Sequence, residues 1–289
     1  MPRLFCFLRR SQGIRAQNCG TIIFMDYPAD ETALRVQLQG LPLSEVRFSA
    51  ETGSTNDDAQ RWLDAGAPDG ALVVADRQTT GRGRFNRRWI TQAGAGLACS
   101  LILRPNFEEM DHLSMLSPLA GLAVSDGLAS CCGLHPEIKW PNDVLLLRRK
   151  VCGVLVETSW LADRLAGVVI GIGVNVAPSS VPPAETLLFP AISVEEVTGH
   201  PVNRWELLAA ILKAAFSWRN KIATPEFFQS WEKRLAFKGE IVQVETPGGM
   251  LEGTLTGIDS QGGLVLQLIA GKQEVITVGD VHLRPADKS

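Results

Sequence analysis

The 289-residue chain has no C-x-x-C pair, no closely spaced histidines, no uninterrupted run of 18 apolar residues and no large excess of one charge sign. Each absence excludes something. Its six cysteines, at positions 6, 19, 99, 131, 132 and 152, lack metal-site or redox spacing, so reduced thiols of a cytosolic protein are the simpler reading. His112, His135, His200 and His282 stand too far apart for a short zinc-ligand motif. Without an apolar run of bilayer length, no membrane span is expected. A net charge of −3 gives no whole-molecule attraction to nucleic acid or an acidic membrane. An anion site must therefore be a local cluster of basic side chains. What is present, 45% hydrophobic and 20% charged residues, describes a packed globular protein.

The first 24 residues carry Arg3, Arg9, Arg10 and Arg15 and no acid, ahead of a second methionine, Met25. Leu4 to Leu8 is too short for a signal-peptide core. A disordered non-functional extension or upstream start, an ordered strand and an organelle-targeting peptide are the open alternatives. Further on, the period predicts a strand from Val46 and a helix capped by Ser54, Thr55 or Asn56, with Ala59, Trp62 and Leu63 on one face. Strands are expected at 71–75, 97–103, 138–140, 144–147, 151–157 and 165–176, the last two joined by a hairpin around Asp163. Helices are expected at 113–128, with Pro118 in its first turn or at a kink, and at 204–218 and 226–235. Residues 77–95 are too polar and glycine-rich for a regular element, and 177–190, with four prolines, reads as a loop. After Lys238 the pattern shortens to strands separated by glycine turns, which predicts a small β-barrel of roughly 50 residues. The resulting plan is α+β: an N-terminal extension over 1–44, partly disordered, a mixed-sheet domain over 45–236 and a small barrel over 237–289.

Two segments concentrate unusual chemistry. Arg77 to Trp89 holds five arginines and no acid in thirteen residues, with Gly81 and Gly83 between them. Glycines let the backbone approach a ligand, and arginine forks surround an anion from several sides. The segment is neither a P-loop, lacking G-K-[ST], nor a dinucleotide fingerprint, lacking the third glycine. A solvated basic loop and an RNA-binding arm are the plainer alternatives. Lys139-Trp140-Pro141-Asn142-Asp143 then sets an aromatic, a turn and a carboxylate between apolar strands, followed by Lys150 and Gly153. A hairpin across 145–150 would bring Asp143 and Lys150 to one end of a sheet, where an aspartate can hold Mg²⁺ or orient an amine and a lysine can neutralise phosphate. A turn cap and a surface lysine are the alternatives. Gly171 and Gly173, alternating along an apolar strand, leave a bare face for a flat ligand group, with Asn175 available to an adenine or ribose.

In this order, Gly53-Ser54-Thr55-Asn56, Gln78 with Gly81-Arg82-Gly83-Arg84 and Arg87-Arg88-Trp89, Lys139 to Asp143, Lys150 with Gly153, and Gly171 to Asn175 resemble the biotin protein ligase family over about residues 46–285. The resemblance implies a class II synthetase-like catalytic domain with a small C-terminal SH3-like barrel. It implies an ATP-dependent biotin–[acetyl-CoA-carboxylase] ligase that makes biotinyl-5′-AMP and pyrophosphate, then transfers biotin to a lysine of a biotin carboxyl carrier domain. By resemblance, Ser54, Thr55, Gln78, Gly81, Arg82, Trp89 and Gly153 bind biotin or shape its pocket. Arg84, Arg87, Lys139, Asn142, Lys150 and Asn175 bind the nucleotide. Arg84, Lys150 and Asp143 carry the chemistry, with Asp143 serving Mg²⁺. Phe85-Asn86 stands where the family loop usually has arginine-glycine, which makes this loop bulkier and less mobile. A lipoate or octanoate ligase is the nearest rival. A cytoplasmic enzyme that binds neither DNA nor membrane is expected, with a homodimer formed through a sheet edge near Leu165 to Val176.

Overall fold

The computed structural model describes residues 29–268 and 271–282. The expectations for residues 1–24 lie outside these. Within the extension over 1–44, helix α1 (Ala29–Gln37) is packed on the fold: Leu34 is fully buried, and Asp30 receives the side chains of Arg204 and Trp205. An apolar anchor plus a half-buried ion pair outweighs the weak intrinsic stability of so short a helix.

A seven-stranded mixed sheet forms the larger layer. Its strands are β1 (Val46–Thr52), β2 (Ala71–Gln78), β3 (Gly96–Leu103), β4 (Glu137–Lys139), β5 (Asp143–Leu146), β6 (Arg149–Leu161) and β7 (Arg164–Asn175), in the order β1-β2-β3-β7-β6-β5-β4. Only β1 and β2 run parallel, joined by α2 (Thr55–Asp64); the other neighbours are antiparallel. Strand β7 lies at the centre, paired with β3 and β6 along its length. The expected intermolecular edge there is therefore corrected. Its near-continuous burial, read from the sequence as apolar, is what a strand covered on both faces requires.

The helices cover this sheet. The short α3 (Phe107–Met110) precedes α4 (Leu116–Cys132), whose Pro118 sits in the first turn, where a missing N–H costs no helical bond. The segment Leu113–Cys132 is long and apolar enough to cross a membrane, but most of it is buried within the fold as a core helix. Helices α5 (Val194–Thr198), α6 (Arg204–Arg219) and α7 (Pro225–Lys233) follow, α6 lying along α4.

The smaller layer is a five-stranded antiparallel sheet of β8 (Ile241–Thr246), β9 (Gly249–Ile258), β10 (Leu264–Leu268), β11 (Gln273–Ile276) and β12 (Asp280–His282), ordered β11-β10-β9-β8-β12. The short closing strand β12 has no periodicity of its own and was not expected; pairing with β8 creates it. Val242, Val244, Leu255, Leu264 and Leu266 join one hydrophobic core with Trp231 and Phe237. Trp140 Nε1 donates to the Gly262 carbonyl at 3.0 Å, tying the small sheet to the large one.

Candidate active site

One cavity of about 440 Å³ opens where the basic loop, α2, and the ends of β5, β6 and β7 meet. Every residue to which the resemblance gave a binding or chemical role lines it except Gly81, which lies immediately beside it in the loop.

The first wall starts at the N-terminus of α2. Ser54 caps the helix by accepting from Asp57 N–H, which holds Thr55 and Asn56 in buried positions facing β2 and β3. Gln78, at the end of β2, accepts from Thr55 N at 2.7 Å and lies 3.0 Å from Thr55 Oγ1. Ser100 of β3 reaches Thr55 Oγ1 and Asn56 Oδ1 at 2.8 and 2.6 Å, and Asn56 Nδ2 donates to Glu157 at 2.8 Å. Ser100 and Glu157 were not anticipated. A single acid at the end of an apolar strand was the available signal for Glu157.

The basic loop is more regular than its composition suggests. Backbone pairing at Gln78/Thr91 and Arg82/Arg88, with Trp89 N–H donating to Gly81 O at 2.8 Å, makes it a hairpin-like flap extending β2. Of the stretch 77–95 expected to be irregular, residues 77–78 end β2, and the rest holds only these isolated bridges and one short 3-10 turn. Gly81 is required: a Cβ there would overlap the Trp89 carbonyl and the Gln78 amide. Arg82 is bound bidentately by Glu157 at 2.9 Å and by Asp57 at 2.6 Å. Burial lowers its pKa, but the attraction of Glu157, then Asp57, outweighs burial and raises it. Arg84, at the tip, donates to Asn142 Oδ1 and to the Gly279 carbonyl of the small sheet, both at 3.2 Å. Phe85 beside it is exposed and left-handed, with φ 55°.

The second wall comes from β5 and β6. Asp143 and Gly153 are cross-strand partners, and Gly153 in turn pairs with Gly173. A bulge shifts the register between Val144 and Leu145, so Val144 faces Cys152 but Leu145 faces Lys150. The inserted residue re-aims Lys150 onto the side of Asp143. Lys150 Nζ lies 2.6 Å from Asp143 Oδ1, and the buried Lys139 Nζ lies 3.7 Å from Oδ2. Two ammonium groups against one carboxylate leave a net positive cluster. Lys139 also faces the Phe189 ring at 5.0 Å and Lys150 the Trp89 ring at 5.6 Å. Asn142 Nδ2 donates to Val154 O at 2.8 Å, fixing the turn.

The bare face expected along β7 is covered by protein groups: Asn56 stands over Gly171, and the Trp89 indole lies on Gly173 and Gly153. Asn175 is buried at the cavity end, its Nδ2 donating to Ile192 O at 3.3 Å. Cys99 also lines the cavity, and burial pushes its thiol up to about 12, so it stays protonated.

Along β6, Glu157 and Gly153 are four residues and thus about 13 Å apart. The hydrogen-bonding pocket and the cationic cluster therefore flank a slot suited to an elongated molecule with a polar head and an anionic end. Among the described residues no three His, Cys, Asp or Glu side chains gather as a metal cage. A divalent ion fits here only as one shared with substrate phosphates, Asp143 offering one oxygen.

Residues 49–175 match the Biotin/lipoate A/B protein ligase family, and 238–284 match the Biotin protein ligase C terminal domain. The biotin--[acetyl-CoA-carboxylase] ligase of Mycobacterium tuberculosis is 36% identical over 267 residues, 89% of this chain and 97% of that protein. That of Paracoccus denitrificans is 37% identical over 235 residues, 78% and 95%. The biotin protein ligase of Aquifex aeolicus in complex with biotin and ATP superposes with a TM-score of 0.73 at 32% identity, over 84% of this chain and 100% of that one.

Proposed function

The chain belongs to the biotin protein ligase family, and from that premise we propose how its own residues divide the work. The protein is an ATP-dependent biotin ligase: it forms biotinyl-5′-AMP from biotin and ATP with release of pyrophosphate, then passes biotin to a lysine of a biotin-carrying carboxylase partner. The observation that carries the division of labour is the shared slot, with Thr55 and Gln78 in its polar pocket and Asp143, Lys139 and Lys150 in its cationic cluster.

In the first step the biotin carboxylate attacks the α-phosphorus, a bond to the acid oxygen forms and the bond to pyrophosphate breaks. Two anions must approach each other. Lys150, Arg84 and Arg87 offset that repulsion, Lys139 and Asn142 support the nucleotide side, and Asn175 meets the nucleoside. Their stabilisation grows as charge gathers on the phosphoryl oxygens. Magnesium bound with the nucleotide would add charge neutralisation, and Asp143 is the residue that would share it. Ser54, Thr55 and Gln78 hold the ureido ring, Gly81 and Arg82 close over it, and Trp89 and Gly153 form the floor between the two ends.

In the second step the acceptor amine attacks the acyl carbon, AMP leaves and the amine loses a proton. Asp143 orients that amine. It need not be a strong base, because the mixed anhydride is already activated. The finer partner is the carrier domain of acetyl-CoA carboxylase or a related carboxylase, and the four described cysteines, all free thiols, fit work in the cytoplasm. A homodimer would use a surface other than β7, whose edges are both paired.

Pyrophosphate release from ATP and Mg²⁺, compared for biotin, lipoate and octanoate without acceptor protein, tests this reading. Release with biotin alone is expected. Release driven by lipoate or octanoate instead would overturn it.

A further inference from the structure

The flap tip is a tight turn with an aromatic ring in it. Gly83 N–H donates to Arg87 O at 2.7 Å and Arg87 N–H to Arg84 O at 3.1 Å, which closes the turn around Phe85. The guanidinium carbon of Arg84 stands over the Phe85 ring at 4.8 Å from its centroid, and that of Arg87 at 5.8 Å. Neither backbone nor burial favours a phenylalanine here: φ is 55°, a region bulky side chains rarely adopt, and the residue is 62% exposed. What the ring gains at this place is the attraction of two cations to its π face. Both arginines line the cavity, whereas Phe85 stands outside its lining. A guanidinium meets an aromatic ring with its planar face and an anion with its N–H edge, so one arginine can do both at once. The Arg84 edge is held here by Asn142 and the Gly279 carbonyl, both at 3.2 Å, and these long bonds are the ones a phosphate oxygen would replace. The face contact need not break.

We propose that Phe85 is a positioning residue for adenylate formation. Its ring holds the Arg84 and Arg87 side chains together at the slot, leaving their N–H edges to exchange present partners for phosphate oxygens. Two like charges side by side repel each other until an anion arrives. The negative ring face offsets part of that repulsion, and the contact spares each arginine some of the rotamer freedom it would otherwise lose on binding phosphate. The proposal rests on the reading that these arginines bind the phosphates of ATP.

The experiment measures kcat/KM for ATP and KM for biotin in pyrophosphate release by the full-length wild type, Phe85→Leu and Phe85→Tyr, then biotin transfer to a carrier domain from supplied biotinyl-5′-AMP. All three side chains carry a similar backbone cost at positive φ, so the comparison isolates the ring. Phe85→Leu is expected to lower kcat/KM for ATP about threefold to tenfold, with the biotin KM within about twofold. Phe85→Tyr keeps the ring and is expected to stay within about twofold of wild type in both. An unchanged kcat/KM for ATP in Phe85→Leu, or an equal loss in both variants, overturns the assignment. A loss in Phe85→Leu confined to transfer from supplied adenylate also overturns it and makes Phe85 a contact for the acceptor protein. No biotin-dependent release by wild type would overturn the functional reading itself, and the role of Phe85 with it, before any variant is compared.

Discussion

The floor of the cavity and the flap above it are built from opposite materials. On the floor, β4 to β7 are joined by extended backbone ladders, and Lys139, Asp143 and Asn175 are buried within them. The flap pairs with itself at only a few points, and its tip at Arg84 to Asn86 is held by side-chain bonds of 3.2 Å to Asn142 and the small sheet. Groups that must be placed before substrate arrives sit on the rigid element. Groups that must open for entry and then exclude water from an acyl phosphate sit where few bonds resist opening.

Lys150→Ala attacks the floor where charge matters most. Adenylate formation should fall about 10²- to 10³-fold, the usual effect of removing a preorganised electrostatic donor. Pyrophosphate release at the wild-type rate would remove Lys150 from the chemistry. On the flap, Arg84→Ala should cost adenylate formation more than about tenfold, and less than Lys150→Ala, because Arg84 stands on the flap tip and starts from contacts it must exchange. The reverse ranking in the same assay would show that the tip is already fixed. Gly173→Val tests the contact between the two regions. Its side chain would overlap the Trp89 indole, so a loss of about tenfold is expected, together with a changed Trp fluorescence. Normal activity and spectrum would mean that Trp89 leaves this shelf.

A smaller effect is expected at the seam between the sheets, where Arg148 binds Glu240 at 2.7 and 2.8 Å. Both side chains are about half exposed, so Arg148→Ala should cost less than about 1 kcal/mol of stability and leave kcat unchanged. The hydrogen bond from Arg148 holds the Glu240 carboxyl below its usual range. A lowered folded-state pKa stabilises above the unfolded value and is lost as pH falls through the folded one. The variant's deficit in thermal unfolding should thus be present at pH 7 and vanish well below about pH 4. A deficit that persists in acid would assign it to packing.

Much of this site was legible in short stretches of sequence. Ser54 caps α2, Pro141-Asn142 turns between β4 and β5, and the hairpin that follows brings Lys150 to Asp143, each from local chemistry. The few bridges of the flap were not legible because glycine and arginine have little strand propensity, whereas its pairing starts from Gln78 at the end of β2. The bare strand face misled for a related reason: glycines at 171 and 173 announce a close approach but do not say what approaches, and Asn56 and Trp89 fill the space. Glu157 carried no motif, and its importance appears only when Arg82 and Asn56, far away in the chain, arrive at the same carboxylate.

Composition, residue period and the order of the motifs were sufficient for the α+β plan, the small all-β unit and the family, because each depends on segments of a few residues. Tertiary structure alone decided that β7 is central and that Arg82 and Asn56 meet at the Glu157 carboxylate. Strand order and the meeting of distant side chains are set between residues far apart in sequence, where no local pattern records them.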